Sequence, residues 1–584
     1  MKGPPLPRVK YPTLNEALVG AARGRLGLIF VDAAERETHL PWAQVYERAR
    51  RTASGLHRLG VRPGDRVALL LPTSPGFMDA FFGTLLAGAV PVPLYPPVRL
   101  GRLEEYHRST ARMLEVSGAA VVLTDSKVRL LLGAPVAAAR PRFGCLTVED
   151  VSREGGELAL SVTPQSLGLI QFSSGSTVDP KPVALRHDNL MAQLAALEAE
   201  IPPPLEGDPV GVSWLPLYHD MGLIGCLLSA LYYPGSMVLI PPEVFLARPA
   251  LWLRALSRHR GFVSPAPNFA YGLCLKRVKD AELEGVDLSA WRHALNGAEP
   301  VSLETLRRFG ERFARWGFQP GAMRPVYGLS EASLAVTFPV AGRGPYALGV
   351  DARVLAMERR VVDGERPVVS VGRPVPGVEV QVRDSLGHVL PERRVGRVFA
   401  RGPSVMEGYF GLPEATVRAL DEAGWLDTGD LGFEADGELF LTGRAKDLVI
   451  IRGANHAPQE FEEALEGVEG LRTGCAVALG FTPEDGQDEA LLVLAEHAPG
   501  ARVEGLEERV REAVVASTGV RPHTVRVLEP GTLPRTSSGK LRRGEALRRF
   551  LANELTAPKK VKTVGLMVEM ARSALAFARA GREE

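Results

Sequence analysis

Several features that would narrow the function of a chain are scarce in this sequence. Its 584 residues include four cysteines, Cys145, Cys226, Cys274 and Cys475, and none of them belongs to a CxxC pair. This spacing argues against both a disulfide framework and a zinc site, and it fits a reducing compartment. Lysine plus arginine number 69 and aspartate plus glutamate 68, so the net charge gives no reason to expect nucleic acid or an anionic membrane as a partner.

Long hydrophobic runs without a break are also missing. The longest charge-free run includes residues 223–240, and Pro234 and Gly235 interrupt it. We therefore predict a buried helix, a turn and a buried strand there, and no membrane span. The N-terminal sequence MKGPPLPRVKYP has no apolar segment of the kind found in secretory signals. Together these features predict a cytoplasmic protein without stable membrane insertion.

Short β-branched runs alternate with longer helical patterns over most of the chain. Strands are predicted at residues 65–71 and 118–125, and such alternation implies crossover connections and a largely parallel, covered sheet. Beyond Gly443 the segments become shorter, and residues 504–515 predict a charged amphipathic helix. We predict an α/β protein with three parts: a large N-terminal domain of layered sheets and helices (1–443), a smaller, mobile C-terminal α+β domain (444–556) and a C-terminal amphipathic extension (557–584).

The C-terminal extension has the pattern of an amphipathic helix. Glu569, Arg572 and Arg579 fall on one face, and apolar residues between Val564 and Phe577 cover most of the remaining surface. Such a helix could dock on its own chain, bind a partner or lie at a membrane surface, and the sequence leaves these three possibilities open.

A loop rich in serine, threonine and glycine follows an apolar run. Residues 169–187 read LIQFSSGSTVDPKPVALRH. Backbone N–H groups and hydroxyls in such a loop can converge on phosphate oxygens, and Lys181 could add a positive charge. The sequence has no GxxxxGK[ST], which removes the main support for a P-loop ATPase or kinase. Taken alone, the loop could also be a solvated turn.

Further motifs follow this loop in a fixed order. SSGSTVDPK is followed by WLPLYHDMGL, NGAEP, YGLSEAS, DTGD, GRAKDLVIIRGANHAPQEFE and PRTSSGKLRR, which begin at Trp214, Asn296, Tyr327, Asp427, Gly443 and Pro534. The series resembles the adenylate-forming superfamily, which includes acyl-CoA synthetases, luciferases and peptide-synthetase adenylation domains. The resemblance implies an enzyme that uses ATP and Mg²⁺ to convert a carboxylic acid to an acyl-adenylate, with release of pyrophosphate.

The resemblance also implies roles for individual residues. Lys540 matches the mobile catalytic lysine, which contacts the carboxylate and the α-phosphate, and Glu331 matches a Mg²⁺ ligand. Asp430 is expected to accept the ribose hydroxyls with the help of Arg444, and Lys446 to be the hinge of the C-terminal domain. The other expected nucleotide-binding residues are Ser173, Ser174, Gly175, Ser176, Thr177, Gly297, Ala298, Glu299, Tyr327, Gly328, Leu329 and Ser330.

The acyl-binding residues are expected around the WLPLYHDMGL motif. A substrate carboxylate is already ionised near pH 7 and needs no general base, so we predict that His219 shapes the carboxylate end of an acyl pocket, with core packing as the alternative. Apolar residues in 221–231 and 269–273 could line a tunnel for an alkyl tail or belong to an ordinary core. The substrate-binding residues are therefore predicted to be His219, Asp220, Met221, Gly222 and Phe269.

Three segments are similar to one branch of the superfamily, the fatty acyl-AMP ligases, which pass the acyl group to the phosphopantetheine of a carrier protein. FVSPAPNFAYGLC (262–274) is similar to the branch signature APNFAYELC, residues 91–114 contain PLYPP, and NHAPQEFE (455–462) resembles NHYPQDIE. Residues 338–370 are longer than in most short superfamily members, which agrees with a branch-specific insertion thought to restrain domain rotation and oppose the use of coenzyme A. No carrier domain accompanies the ligase motifs, so a separate acyl carrier protein is the expected acceptor.

The phosphate loop departs from the superfamily's TTGxPKG pattern, because Val178 and Pro182 replace two glycines. The branch also tends to lose the first of these glycines.

The resemblance implies a medium- to long-chain fatty acid as the substrate of the ligase. The alternatives to a fatty acyl-AMP ligase are a fatty acyl-CoA synthetase, a β-lactone-forming enzyme and an inactive nucleotide- or acyl-binding protein. The APNFAY segment speaks against the second. The third is disfavoured because four residues are present together: Lys540, Glu331, Asp430 and Arg444.

Overall fold

The computed structural model describes residues 1–97, 100–152, 162–173, 180–483, 489–536, 539–558 and 570–577. Its strands are short, and we number them in chain order: β1 Gly27–Val31, β2 Glu37–Pro41, β3 Arg66–Leu70, β4 Val90–Pro93, β5 Ala119–Thr124, β6 Cys145–Thr147, β7 Leu167–Phe172, β8 Pro182–Arg186, β9 Val210–Ser213, β10 Ser236–Leu239, β11 Val263–Ala266, β12 His293–Asn296, β13 Met323–Pro325, β14 Tyr327–Gly328, β15 Ala335–Phe338, β16 Ala347–Val350, β17 Arg366–Pro374, β18 Glu379–Arg383, β19 Gly396–Arg401, β20 Gly408–Tyr409, β21 Leu426–Ala435, β22 Glu438–Arg444, β23 Val449–Ile451, β24 Ala454–His456, β25 Leu471–Phe481, β26 Ala490–His497 and β27 Thr524–Leu528.

The helices are numbered in the same way. They are α1 Leu14–Ala21, α2 Trp42–Leu59, α3 Pro75–Leu86, α4 Leu103–Ser117, α5 Ser126–Arg129, α6 Gly133–Ala139, α7 Val148–Val151, α8 His187–Glu200, α9 Asp220–Gly222, α10 Ser229–Tyr232, α11 Pro242–Ala247, α12 Ala250–Arg258, α13 Asn268–Arg277, α14 Leu303–Phe313, α15 Ala352–Glu358, α16 Pro413–Ala419, α17 Pro458–Glu463, α18 Leu506–Thr518 and α19 Arg543–Leu551.

Two sheets near the N-terminus have the parallel strands that the alternating pattern predicts. The four-stranded sheet, β4-β3-β5-β6, is parallel throughout, and the seven-stranded sheet has the order β13-β12-β11-β9-β10-β1-β2 with β2 antiparallel to β1. Helix α3 shows how the layers are built. It begins at Pro75 with the hydroxyl of Ser74 as its N-cap, and its residues from Phe77 to Leu85 are all buried. A helix that is buried on nearly all sides is stable where layers cover it, and its one charged residue, Asp79, is paired with Arg48.

The charge-free run folds as a helix, a turn and a strand. Residues Leu223–Leu228 form a π-helical segment that continues into α10, and β10 follows the turn at Pro234 and Gly235. In the part of the chain that the structure describes, no helix is long and apolar enough to cross a membrane.

A third large sheet is antiparallel, which the alternation of strands and helices did not predict. Its order is β14-β15-β17-β22-β21-β19-β18, with β16 added on β17. Strands β21 and β22 form a hairpin around Asp436 and Gly437, which both have positive φ, at 54° and 71°. An Asp-Gly pair between apolar runs is a strong hairpin signal because both turn positions require positive φ, and the pattern-based prediction did not use it.

The cores separate near the predicted domain boundary. Core clusters that contain residues up to Leu441 are distinct from two smaller clusters, which begin at Val449 and Val477 and contain residues of β23, β25, β26, β27, α17, α18 and α19. We therefore propose that residues 444–556 form a domain of their own. Strand β22 ends at Arg444 and leads directly into it.

The described part of the C-terminal extension, residues 570–577, is helical and packs against the N-terminal domain. The backbone N–H of Gly133 donates to Ser573 Oγ at 2.8 Å, and Phe577 packs beside the core under the four-stranded sheet. The guanidinium of Arg129 lies 5.6 Å from the centre of the Phe577 ring. Of the three possibilities that the sequence left open, docking on the same chain is therefore the one that these contacts support.

We expect Gly133→Ala to displace this helix. A Cβ at position 133 would lie 2.3 Å from Ser573 O and 2.6 Å from Ser573 Cα, so backbone must shift. Hydrogen exchange of the amides in 570–577 should become faster in the variant. Gly76→Ala is the matched control, because Gly76 also lies in the first turn of a helix but has only Ser74 Oγ near, at 3.7 Å. Equal exchange rates in both variants would mean that the contact does not hold the helix.

Candidate active site

A cleft of about 2170 Å³ lies between the N-terminal domain and residues 444–556. Strands β12 and β13 end side by side, so the motifs NGAEP and YGLSEAS begin at neighbouring carboxyl ends of parallel strands, where α/β proteins bind ligands. The predicted site residues that line the cleft are Ser173, His219, Asp220, Met221, Phe269, Gly297, Ala298, Glu299, Tyr327, Gly328, Leu329, Ser330, Glu331, Asp430, Arg444, Lys446 and Lys540.

The other predicted site residues are placed differently. Gly222 lies beneath the cleft surface, where a Cβ would meet Pro216 O at 2.3 Å, so its position requires a glycine for close packing. The loop residues Ser174, Gly175, Ser176 and Thr177 lie outside the described residues.

Asp430 is held from two sides. Its Oδ2 accepts a hydrogen bond from the Tyr327 hydroxyl at 2.6 Å, and its Oδ1 lies 3.0 Å from Arg444 Nε. The antiparallel register of β21 and β22 brings Asp430 and Arg444 opposite each other, 14 residues apart in the chain. Burial, with the charge of Asp430 beside it, raises the pKa of Tyr327 well above its usual value, so the phenol stays a donor. Lys446 lies two residues after Arg444, in the 3₁₀ turn Ala445–Asp447 between the domains.

Asp220 connects two motifs. Its Oδ1 lies 2.7 Å from His219 Nδ1 and also accepts the Met221 N–H, and its Oδ2 accepts the Ser330 hydroxyl at 2.5 Å. Burial by itself would raise the pKa of Asp220, but His219 and the Ser330 hydroxyl outweigh it and hold the pKa well below its usual value. The other ring nitrogen of His219 is buried and has no hydrogen-bond partner among the described residues. The Nε2 of His219 is therefore available beside the cleft. A buried polar atom without a partner is unusual in a protein core, so core packing alone does not explain it.

Lys540 comes from the C-terminal domain and enters the cleft on a tight turn. The backbone N–H of Thr536 donates to Lys540 O at 2.8 Å, and Gly539 in the turn has a φ of 92°. Burial lowers the pKa of Lys540, and the negative charges of Asp220 and Glu299 only partly oppose this. An anionic substrate beside the amine would favour its charged form, because an opposite charge nearby raises the pKa of a lysine.

Glu331 has a partner that the sequence analysis missed. The hydroxyl of Tyr409, at the end of β20, donates to Glu331 Oε1 at 2.8 Å, and Lys181 Nζ lies 4.5 Å from the centre of the Tyr409 ring. Burial raises the pKa of Glu331, and the bond from Tyr409 partly opposes the rise. The structure brings Tyr409 to this position because the two-residue strand β20 pairs with β8, which follows the loop rich in serine, threonine and glycine.

Glu331 is also the place to test for a metal site. Among the described residues no group of three or more His, Cys, Asp or Glu side chains could hold an ion. A single carboxylate suits Mg²⁺, which retains water and phosphate oxygens as its other ligands. The donor set therefore fits a Mg²⁺ that arrives with ATP, and does not fit an ion held by protein alone.

Glu299 lies between the polar side of the cleft and its apolar end. Its Oε1 accepts the backbone N–H of Phe269 at 2.6 Å, and Ala298 beside it has a φ of 70°. The Phe269 ring lies 5.9 Å from the centre of the Trp214 ring, at an apolar end of the cleft to which Met221 and Leu273 also contribute. Leu223, Leu227 and Leu231 belong to the main core, so the run 221–231 is part lining and part core.

The segment 338–370 contacts the C-terminal domain. It forms β16 and α15, and Arg359 Nη2 donates to Asn455 Oδ1 at 3.0 Å. Asn455 Nδ2 in turn donates to Ala356 O at 3.3 Å, and Arg366, at the start of β17, lies 2.7 Å from Glu460 Oε1. Three polar contacts therefore join this region to the NHAPQEFE motif.

Comparison with known proteins identifies the family of this chain. Residues 20–410 match the family described as AMP-binding enzyme. A putative acyl-CoA synthetase of Caulobacter vibrioides is 37% identical over 552 residues, covering 93% of this chain and 96% of that protein. Long-chain-fatty-acid–AMP ligase FadD32 of Mycolicibacterium smegmatis is 33% identical, with 94% and 97% covered.

Solved structures give the same result. A structure from work on fatty acyl-adenylate ligases from E. coli and L. pneumophila superposes with a TM-score of 0.87 at 34% identity, covering 94% of this chain and 99% of that one. The L. pneumophila fatty acyl-adenylate ligase in complex with acyl adenylate and pyrophosphate gives 0.71 at 30%, with 93% and 96% covered. The chain therefore belongs to the AMP-binding enzyme family and has the fold of the adenylate-forming ligases.

Proposed function

We propose that this chain is a fatty acyl-AMP ligase. It activates a medium- to long-chain fatty acid with ATP and Mg²⁺, releases pyrophosphate, and passes the acyl group to the phosphopantetheine of a separate acyl carrier protein. The observation that carries the proposal is that Lys540 lies in one cleft with Asp430 and Glu331 on its polar side and Phe269 at its apolar end. Relatives named long-chain-fatty-acid–AMP ligase support a fatty acid as the substrate.

The reaction needs positioned charge more than it needs proton transfer. A carboxylate oxygen attacks the α-phosphorus of ATP, and the bond to the pyrophosphate oxygen breaks. Lys540 offsets the negative charge where the substrate carboxylate meets the α-phosphate of ATP. Asp430, which is fixed by Tyr327 and Arg444, accepts hydrogen bonds from the ribose hydroxyls. Donors fixed in advance stabilise the transition state without reorganising at the moment of reaction. When bound at Glu331, Mg²⁺ would neutralise phosphate charge.

Lys540→Ala should lower the rate of acyl-adenylate formation by about two to three orders of magnitude, the usual loss for one preorganised charge. Pyrophosphate release gives the rate, and mass spectrometry identifies the adenylate. The exposed Lys279→Ala is the control and should keep the wild-type rate. An unchanged rate in Lys540→Ala would remove this lysine from the mechanism.

Tyr409→Phe should weaken the response to Mg²⁺. The change removes the hydroxyl that orients Glu331, and a hydrogen bond to a charged group contributes about 1.5–3 kcal/mol. We expect the Mg²⁺ concentration for half-maximal adenylate formation to rise by about tenfold. Tyr46→Phe on α2 is the control. If the Mg²⁺ dependence of Tyr409→Phe equals that of the wild type, Glu331 is not the metal ligand or does not need this support.

A second candidate is a fatty acyl-CoA synthetase, because the relative at 37% identity is named a putative acyl-CoA synthetase. The contacts from residues 338–370 to Asn455 and Glu460 favour the ligase, since they oppose rotation of the C-terminal domain. Incubation with ATP, Mg²⁺, mixed fatty acids and coenzyme A separates the two. Acyl-adenylate that persists supports the ligase, and conversion to acyl-CoA supports the synthetase.

The double variant Arg359→Ala/Arg366→Ala should increase the use of coenzyme A. It removes two of the polar contacts that join the segment 338–370 to the C-terminal domain, so that domain can rotate more freely. The product is acyl-CoA, measured by mass spectrometry. Arg353→Ala, on the exposed side of α15, is the control. If the double variant forms no more acyl-CoA than the control does, these contacts do not exclude coenzyme A.

A further inference from the structure

A cluster of charged residues holds the base of the turn that carries Lys540. Glu105, on α4 of the N-terminal domain, lies 2.8 Å from Arg549 Nη2 and 3.8 Å from Arg542 Nη1. Arg102 lies 3.5 Å from the same carboxylate. We call Arg102, Glu105, Arg542 and Arg549 the clamp. Arg102 and Glu105 belong to the N-terminal domain, whereas Arg542 and Arg549 belong to the C-terminal domain.

The clamp contacts both sides of the Lys540 turn. Before the turn, Arg102 Nη2 donates to the carbonyls of Gly531 and Thr532, at 3.1 and 2.9 Å. After it, Arg542 follows Lys540 by two residues, and its backbone N–H closes the turn by donating to Pro534 O at 2.9 Å. A displacement of the clamp would therefore be transmitted to Lys540 through a short, hydrogen-bonded stretch of backbone.

Glu105 is the carboxylate that lies between the arginines of the two domains in this cluster. The side chains of Arg102, Arg542 and Arg549 are only 14–17% exposed, and Glu105 lies among all three. Burial alone would raise the pKa of Glu105, but the arginines hold it below its usual value, so the carboxylate is charged. Arg549 also lies 2.6 Å from Glu545, but that carboxylate belongs to the same domain as the arginine. Without the charge of Glu105, the clamp would lose its attraction between the domains, and the poorly solvated guanidinium groups on the two sides of the interface would repel one another.

We infer that Arg102 and Glu105 are positioning residues for adenylate formation, which hold the C-terminal domain in the orientation that places Lys540 in the cleft. The inference rests on the proposed function and goes beyond it, because neither residue touches the reacting groups. Rotation of the domain about Lys446 breaks the clamp. The clamp therefore acts when the adenylate forms and not when the acyl group is transferred.

Glu105→Gln tests the clamp, because it removes the charge with little change in shape. We expect the kcat of adenylate formation to fall by roughly ten- to hundredfold, as for a misplaced catalytic group, with the KM values for ATP and fatty acid nearly unchanged. Transfer from acyl-adenylate supplied in advance should keep its wild-type rate. The control is Glu104→Gln, an exposed neighbour on the same helix, which should behave as wild type in both steps.

A double-mutant cycle separates positioning from general damage. In the Lys540→Ala background, Glu105→Gln should change the remaining rate by less than about twofold, because there is no amine left to position. An equal loss in both backgrounds would overturn the inference. So would a Glu105→Gln variant that forms adenylate at the wild-type rate.

Two further measurements cover the other outcomes. If Glu105→Gln does not fold, as judged by its thermal unfolding, Arg102→Lys repeats the test at the other side of the turn. That substitution keeps the charge but loses the two-carbonyl contact, so the same kcat loss is expected, and a normal kcat would overturn the inference. Failure of the proposed function is distinguishable in the wild-type protein, which would then either form no acyl-adenylate or convert it to acyl-CoA when coenzyme A is present.

Discussion

The placement of one lysine from the small domain among carboxylates of the large domain is the interaction on which the rest of the site depends. Burial lowers the pKa of Lys540, while Asp220, Glu299 and Asp430 act in the opposite direction. The amine is therefore held where an additional anion would stabilise its charged form. Because the lysine and the carboxylates belong to different domains, the site exists only while the two domains are in the present orientation.

The carboxylates of the cleft are fixed before any substrate binds. Asp220 is held by His219 and Ser330, Asp430 by Tyr327 and Arg444, and Glu331 by Tyr409. The bonds from Ser330 to Asp220, and from Tyr327 and Arg444 to Asp430, join different motifs, so that these motifs act as one assembly. Side chains held in this way do not have to be ordered when ATP and the acid arrive, which is the main advantage of a preorganised site.

Local sequence patterns predicted the motifs and the parallel sheets, because both depend on residues near each other in the chain. The family resemblance of those motifs implied that Lys540, Glu331 and Asp430 carry the chemistry, but not how these residues are held. The bond from Tyr409 to Glu331 and the contact of Glu105 with Arg549 join residues 78 and 444 positions apart, and no periodicity marks them. The antiparallel sheet was missed for another reason, since the Asp-Gly hairpin signal was present and not used.

The composition of the domain interface is consistent with the proposal that the small domain is held in one step and released in another. The described core clusters of residues 444–556 contain no side chain from the large domain, so no apolar core crosses the boundary. Among the described residues, polar contacts cross it at Asn455, at Glu460, at Thr473 and at the clamp around Glu105. Polar contacts can exchange for water at small net cost, whereas separating an apolar core costs about 25 cal/mol per Å². An interface of this kind is compatible with the domain rotation that the proposed transfer to a carrier protein involves, and the clamp that we infer would place the control of that rotation in a few charged side chains.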